Sequence, residues 1–237
     1  MTGGWPFGDL PMFRYGAILA DPPWYFRNYS ARGEEKNPVA HYDCMDAGAL
    51  AALPVSQLAA PDCALLMWAT APMLPDAINL MQAWGFTFKS AGCWAKQSKT
   101  GEKWAFGTGY CFRSAAEFFL LGTIGRPAIC SRSVRNLIVA PVREHSRKPE
   151  GQYLMAEQLF AGPYVELFAR QAHPGWDSWG NETHKFDEFP GPRRDRKKSD
   201  GLRDGLIDGR ETAGLPLPIA GSVQSLSVAP LFDGAAL

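Results

Sequence analysis

Residues 21 to 24 read Asp-Pro-Pro-Trp, directly after an apolar run, Tyr15-Gly-Ala-Ile-Leu-Ala20, of the length of a short buried strand. In open α/β sheets ligands bind outside the carboxyl ends of the strands, and Asp21 falls at such an end. The four residues suit methyl transfer to an exocyclic amine like that of adenine. Its lone pair is delocalised into the ring and must be localised before it attacks. An ionised carboxylate only accepts hydrogen bonds, so Asp21 can take one amine N–H while the neighbouring Pro22 carbonyl takes the other. A charge-assisted bond of this kind is about twice as strong as a neutral one. Pro22 and Pro23 stiffen the loop and add no competing N–H, and Trp24 can stack on the base, worth ~1–3 kcal/mol in single-strand binders. With a sulfonium methyl donor the leaving group is already activated, so positioning and fixed dipoles suffice without a metal or strong base. A base inside a duplex must first be flipped out. The plainer reading, a strand-ending turn with a buried Trp, would win for Asp-Pro-Pro alone but not for the whole string in this chain.

These residues need a scaffold, and the rest of the chain alternates strand and helix signals. Tyr25 to Tyr42 is polar and charged and reads as a mobile loop over the site. Asp46 can cap a short helix through Leu53, and Cys63 to Ala69 is an apolar run of strand length. Pro75 fits the first turn of a helix carrying Ile78, Met81 and Trp84, with Gly85 at the stop position. Thr87 to Trp94 reads as a strand, Lys96 to Gly109 as a loop, and Glu117 to Gly122 and Asn136 to Ala140 as two further strands. Pro149 opens a helix to about Phe160, and Tyr164 to Ala169 is the last buried strand expected. This order implies an α/β fold with a mainly parallel sheet and helices on both faces.

Composition bounds the remaining possibilities. The 237 residues suit one domain, or one domain with a tail, and 46% hydrophobic residues supply a core. Twenty-four basic residues balance twenty-four acidic ones, so nucleic-acid binding would need a local basic patch. Arg126, Arg132, Arg135, Arg143, Arg147 and Lys148 offer one, either as a phosphate-tracking edge or as a solvated face. The five cysteines contain no Cys-x-x-Cys pair and read as reduced thiols without a zinc site. The N-terminus lacks the basic region and apolar run of a signal peptide, and no segment has the apolar length of a membrane span, so the expectation is a soluble cytoplasmic protein. From about Pro190 a charged run, Arg193 to Lys198, leads into Gly-, Pro- and Ser-rich sequence. The expected division is a folded domain over 1–189 and a flexible tail over 190–237.

Glu166 stands inside an apolar run, and buried acids need a partner, so a ligand or a buried donor is expected beside it. His145 reads equally as a substrate contact or a plain loop residue. Trp104, Phe106 and Tyr110 read either as a target-recognition loop or as core packing.

Several blocks in order, PFGDL, ILADPPW, HYDCM, ALLMWAT, LMQAWGF, RNLIVAPVREHSRKPE, VELFAR and PGWDSWGNE, resemble the MT-A70 family of adenine-N6 methyltransferases over about Trp5 to Phe186, above all its short bacterial and phage-type members. The resemblance implies a Rossmann-like fold that uses S-adenosylmethionine, with the catalytic motif ahead of the cofactor motif. It implies that Asp21, Pro22, Pro23 and Trp24 bind the target adenine and that Asp21 also lies near the methionine end of the cofactor. Lys148 matches the family lysine that pairs with the cofactor carboxylate. Glu166, Phe168, Arg170, Asn181 and Glu182 match positions around the cofactor ribose and adenine, and Asp9 and Leu10 match contacts to the cofactor base. Tyr25, Arg143, His145 and Ser146 are the candidate substrate contacts. The chain departs from the Phe-x-Gly-x-Gly loop of many amino-methyltransferases, carrying Leu-Phe-Ala-Arg instead.

The implied partner is nucleic acid containing adenine, DNA first and RNA next, with a homodimer or a heterodimer left open and no metal or membrane expected. A catalytically silent partner subunit is a competing class, against which stand the intact Asp-Pro-Pro-Trp and Lys148. Methylation of a protein glutamine amide is another; there the Pro-Pro motif usually begins with Asn and follows the cofactor site, whereas here Asp21 comes first.

Overall fold

A computed structural model describes residues 4–24, 45–107, 111–143, 147–181 and 183. The chain divides into two units, Met1–Phe189 and Pro190–Leu237, and every described residue belongs to the first. The expected tail therefore lies outside the described residues.

The first apolar run forms strand β1 (Tyr15–Ala20), and Asp21 follows its last residue. The order then runs α1 (Ala47–Ala51), β2 (Ala59–Ala69), α2 (Leu74–Ala83), β3 (Thr87–Gln97), β4 (Ala116–Ile124), β5 (Leu137–Pro141), α3 (Gly151–Leu159), β6 (Tyr164–Leu167) and β7 (Trp176–Trp179). The punctuation expected from sequence is in place. Asp46 Oδ1 accepts from the Ala49 N–H at 2.8 Å to cap α1. Pro75 sits in the first turn of α2, and Gly85 just beyond its end takes φ +83°, a conformation glycine adopts without a Cβ clash.

The seven strands form one sheet in the order β5-β3-β4-β2-β1-β6-β7. β1 pairs in parallel with β2 and β6, β3 with β5, and β6 with β7, whereas β4 runs antiparallel to both β2 and β3. The mainly parallel α/β expectation holds, with β4 as the reversed strand.

Alternating residues of β1 and β2 feed two cores, one on each face. Ile18, Leu65 and Met67 meet Leu50 of α1 and Leu80, Met81 and Trp84 around α2. Leu19, Leu66 and Trp68 meet Tyr153, Met155 and Ala156 of α3. Each large side chain buried here contributes roughly 1.5–3 kcal/mol, which makes the Trp68 and Trp84 layers central to stability. Their indole N–H groups are satisfied: Trp84 Nε1 donates to the Leu50 carbonyl at 2.8 Å and Trp68 Nε1 to Gln152 Oε1 at 2.7 Å.

Two expectations need correction. Tyr164 to Ala169 is not the last strand, because Trp176–Trp179 pairs in parallel beside it. Its length of four residues and outward Asp177 hide it in sequence. The loop expected from Lys96 also starts later, since Lys96 and Gln97 complete β3 and pair with Ala140 and Pro141.

Candidate active site

The carboxyl ends of β1 and β6, with the turn leading into α3, surround an open depression of about 300 Å³. Asp21, Arg147, Lys148, Gln152, Tyr153, Glu166, Phe168, Arg170 and Gln171 line it. The fold thus joins Asp21, Lys148, Glu166, Phe168 and Arg170, five residues expected at the site, from three separate stretches of sequence.

At its centre Lys148 Nζ donates to Asp21 Oδ2 at 2.9 Å and to Glu117 Oε1 at 3.0 Å. The same nitrogen lies 5.4 Å from the centroid of the Trp68 ring. Glu117 is held from its other side by Lys96 Nζ at 2.7 Å, so charges alternate along Asp21, Lys148, Glu117 and Lys96. Burial alone would pull the Lys148 ammonium down, but the Asp21 and Glu117 carboxylates more than offset it and hold its pKa above the ordinary value. Lys148 is therefore a fixed cation and cannot serve as a base at neutral pH. Burial likewise pushes Glu117 up, yet the two lysines win and bring it to about 2.

The Asp-Pro-Pro-Trp turn is braced from within. The Trp24 N–H donates to the Pro22 carbonyl at 2.8 Å, closing a three-residue turn. That carbonyl has two lone pairs, of which this bond uses one. Pro23 is half-buried, while Trp24 is 8% exposed and donates from Nε1 to the Trp68 carbonyl at 3.1 Å. Most of the Trp24 ring packs in the core, so its observed part is to pin the turn.

Trp68 consequently links both halves of the site: its carbonyl fixes Trp24, its ring faces Lys148 and its indole nitrogen is held by Gln152. Gln152→Leu would leave the buried indole N–H without its acceptor, at a cost of about 1–3 kcal/mol. Urea unfolding of this variant and of Gln152→Glu, which keeps an acceptor, checks this; equal stability of Gln152→Leu and the parent would refute it.

On the β6 side, Tyr153 Oη donates to Glu166 Oε2 at 2.7 Å. Burial pushes the Glu166 carboxyl up to about 7, against the lowering effect of the Tyr153 hydrogen bond. Phe168 follows β6 at φ +61°, a conformation favouring glycine, and its ring packs edge-on against Trp179 at 5.3 Å. The Leu-Phe-Ala-Arg departure thus occupies a turn with the backbone a glycine would supply. Gly180 passes so close to the Ala169 backbone that a Cβ there would overlap the Ala169 carbonyl oxygen.

The remaining expected residues lie at the edges or elsewhere. Asp9 is exposed and Leu10 half-buried in a turn tied by Trp5 Nε1 to the Leu10 carbonyl, and Trp179 Nε1 donates to the adjacent Pro6 carbonyl. That turn is anchored to Trp179, next to Phe168, but does not line the depression. Asn181 is exposed just past β7. Arg143 is engaged by Glu150, with Nη1 at 2.6 Å from Oε1. Tyr25, His145, Ser146 and Glu182 fall outside the described residues.

Sequence reasoning missed Glu117, Lys96, Trp68 and Gln152 as members of the site. Glu117 carried a usable signal, an acid opening the apolar run Glu117-Phe-Phe-Leu-Leu, which is the signal that marked Glu166.

The MT-A70 family model matches residues 15–182, a span that includes every strand and every residue lining the depression. The chain belongs to the MT-A70 family. The Type II methyltransferase M.MunI of a Mycoplasma species is 31% identical over 196 residues, covering 74% of this chain and 81% of that protein. The N6-methyladenosine RNA methyltransferase of Cryphonectria parasitica is 30% identical over 195 residues, with 76% of this chain and 54% of its own length covered. The N(6)-adenine-specific methyltransferase METTL4 of Homo sapiens is 27% identical over 187 residues, or 73% of this chain and 38% of its length. MT-A70 proteins are S-adenosylmethionine-dependent adenine-N6 methyltransferases, and this member keeps the family's fold. Among the described residues no group of three His, Cys, Asp or Glu side chains could hold a metal, and no helix is long and apolar enough to cross a membrane.

Proposed function

We propose that this chain methylates the N6 amine of adenine in DNA, with Asp21 as the group that orients and activates the amine. The observation that carries this reading is the Asp21–Lys148–Glu117 cluster at the end of β1, which holds a carboxylate in one position at the mouth of the depression. DNA is favoured over RNA by the similarity to M.MunI, since the chain spans most of that protein but about half or less of the other two relatives described.

The lining fits S-adenosylmethionine chemically. Lys148 is a fixed cation suited to an amino-acid carboxylate, Asp21 an acceptor for an ammonium, and the Glu166–Tyr153 pair a set of acceptors and donors for ribose hydroxyls. Arg170 and Gln171 stand beside them. When bound, the cofactor supplies an electrophilic methyl on a sulfonium, whose leaving group is a neutral thioether.

Asp21 accepts one N–H of the amine and the Pro22 carbonyl the other, which draws the nitrogen lone pair out of conjugation and toward the methyl. Methyl transfer from the bound cofactor would leave the amine nitrogen with one surplus proton, which would pass by way of Asp21 to solvent. Lys148 holds Asp21 in orientation, and Glu117 and Lys96 keep Lys148 in place. Asp9, Leu10, Asn181 and Glu182 are assigned to the outer rim of the cofactor site, and Tyr25, Arg143, His145 and Ser146 to the approach of the substrate.

Glu166 gives this assignment a pH signature. Its folded carboxyl is raised from 4.5 to about 7, so its proton favours the folded state below about 4.5, and that contribution is lost as pH rises through about 7. Hydroxyl groups donating to the ionised form would lower its pKa again. Cofactor affinity is therefore expected to rise between pH 5 and about 7, with proton release, and to become flat with pH in Glu166→Gln. Calorimetry in two buffers of different ionisation enthalpy reads this directly; identical pH profiles for parent and variant would remove Glu166 from the cofactor site. The polymer is tested by competition, with equal adenine-containing DNA and RNA offered together and N6-methyladenine measured in each. Exclusive labelling of RNA would overturn the DNA assignment.

A further inference from the structure

Between β3 and β4 the chain builds a small extension that starts from the end of β3, where Lys96 meets Glu117. Ser98 N–H bonds the Lys103 carbonyl at 2.7 Å and closes a tight turn, after which Trp104 bridges back to Gln97. The Ala105 N–H donates to the Lys96 carbonyl at 2.8 Å, and Gly107 N–H to the Ser114 carbonyl at 2.9 Å. The extension is thus rooted on Lys96, whose ammonium holds Glu117, and so on the group that positions Asp21.

Its side chains do not serve the core. Trp104 is 53% exposed, Phe106 79% and Phe112 87%, the last two being the most exposed large apolar side chains among the described residues. The core-packing reading of Trp104 and Phe106 is excluded by these values. The guanidinium of Arg113 lies 5.3 Å from the centroid of the Phe106 ring. Lys99, Lys103 and Arg113 are all exposed, against one exposed acid in the same turn, Glu102. Exposed rings interleaved with cations match a polyanion whose flat groups are unstacked. Surfaces that bind single-stranded nucleic acid pair a positive groove with aromatic side chains in this way. A protein partner would want the rings without the excess of cations.

We propose that Trp104, Phe106 and Phe112, with Arg113, form a stacking platform for unpaired nucleotides flanking the target adenine, so that the preferred substrate is single-stranded or locally opened nucleic acid. This rests on the nucleic-acid reading above and names the form of its substrate. The extension is joined to the depression through Lys96, Glu117 and Lys148, the last of which lines it.

The test uses the full chain, a fluorescein-labelled adenine-containing oligodeoxynucleotide, and the same sequence as a duplex. The Phe106→Ala/Phe112→Ala double variant is expected to bind the single strand roughly tenfold more weakly per ring lost, while cofactor affinity and kcat at saturating DNA hold. Its preference for single strand over duplex should collapse. Arg113→Gln should lower the slope of log affinity against log salt by about one. Unchanged affinity and salt slope in variants whose parent still methylates adenine would overturn the platform and leave the methyltransferase reading intact. Loss of a dimer in light scattering with unchanged DNA affinity would overturn it in favour of a second copy of the chain. A parent that methylates no nucleic acid at all would instead bring down the reading on which the platform rests.

Discussion

Asp21→Ala is expected to lower methyl transfer to adenine by about 10²–10⁴-fold while the protein stays folded, because it removes the acceptor that orients the amine. Folding survives for a structural reason: the Lys148 ammonium retains Glu117 at 3.0 Å, so the substitution does not strand a buried cation. Asp21→Asn separates charge from shape. It keeps an oxygen for one amine N–H but loses the charge-assisted bond, and its activity should fall between parent and Asp21→Ala. Circular dichroism and cofactor binding verify the fold of each variant. A folded Asp21→Ala protein with substantial activity would take Asp21 out of the mechanism.

Lys148→Met is expected to cost both activity and stability. Its ammonium is shared by Asp21 and Glu117, both side chains being only 14% exposed, and removing it leaves two carboxylates facing one another in a largely dry site. Breaking a buried pair in this way costs about 3–5 kcal/mol at neutral pH. The pH dependence is the sharper signature. In the parent, Glu117 is held at about 2, so its contribution is present above its ordinary value of 4.5 and is lost as pH falls toward 2. In Lys148→Met, Glu117 keeps only Lys96 against its burial, so its charged form is less favoured than in the parent. The deficit of the variant should therefore be largest at pH 7 and shrink as pH falls to 5. Denaturant unfolding at the two pH values measures it, and a deficit constant with pH would show that Lys148 acts by packing alone.

The fold was legible where local chemistry decides it. β1 and β2 announce themselves as apolar runs, α1 by the Asp46 cap, and α2 by Pro75 at its start and Gly85 at its stop. The reversed direction of β4 was not legible as a strand property. It follows from a connection between Gln97 and Ala116 with no helix among its described residues, which leaves an antiparallel return open. β7 escaped because four residues with a tryptophan at each end carry too little alternation to separate from a turn.

The site divides in the same way. Asp21 was legible because the motif and the strand end coincide in sequence. Its pairing with Lys148 spans 127 residues, and no spacing rule predicts it; the resemblance put Lys148 at the site without the contact that fixes its role. Glu117 and Lys96 join the candidate site only once β3 and β4 lie side by side, with Lys96 and Glu117 near the end of their shared ladder. The hold of Trp24 on the Trp68 carbonyl, 44 residues away, was likewise invisible in the motif.

The most direct test of the central claim is transfer from S-adenosylmethionine carrying a deuterated methyl to adenine-containing DNA, followed by nucleoside mass analysis, with the parent and Asp21→Ala side by side. The expected result is deuterated N6-methyladenine with the parent and essentially none with a folded Asp21→Ala. Label on another base or another atom, or equal product from both proteins, would contradict it.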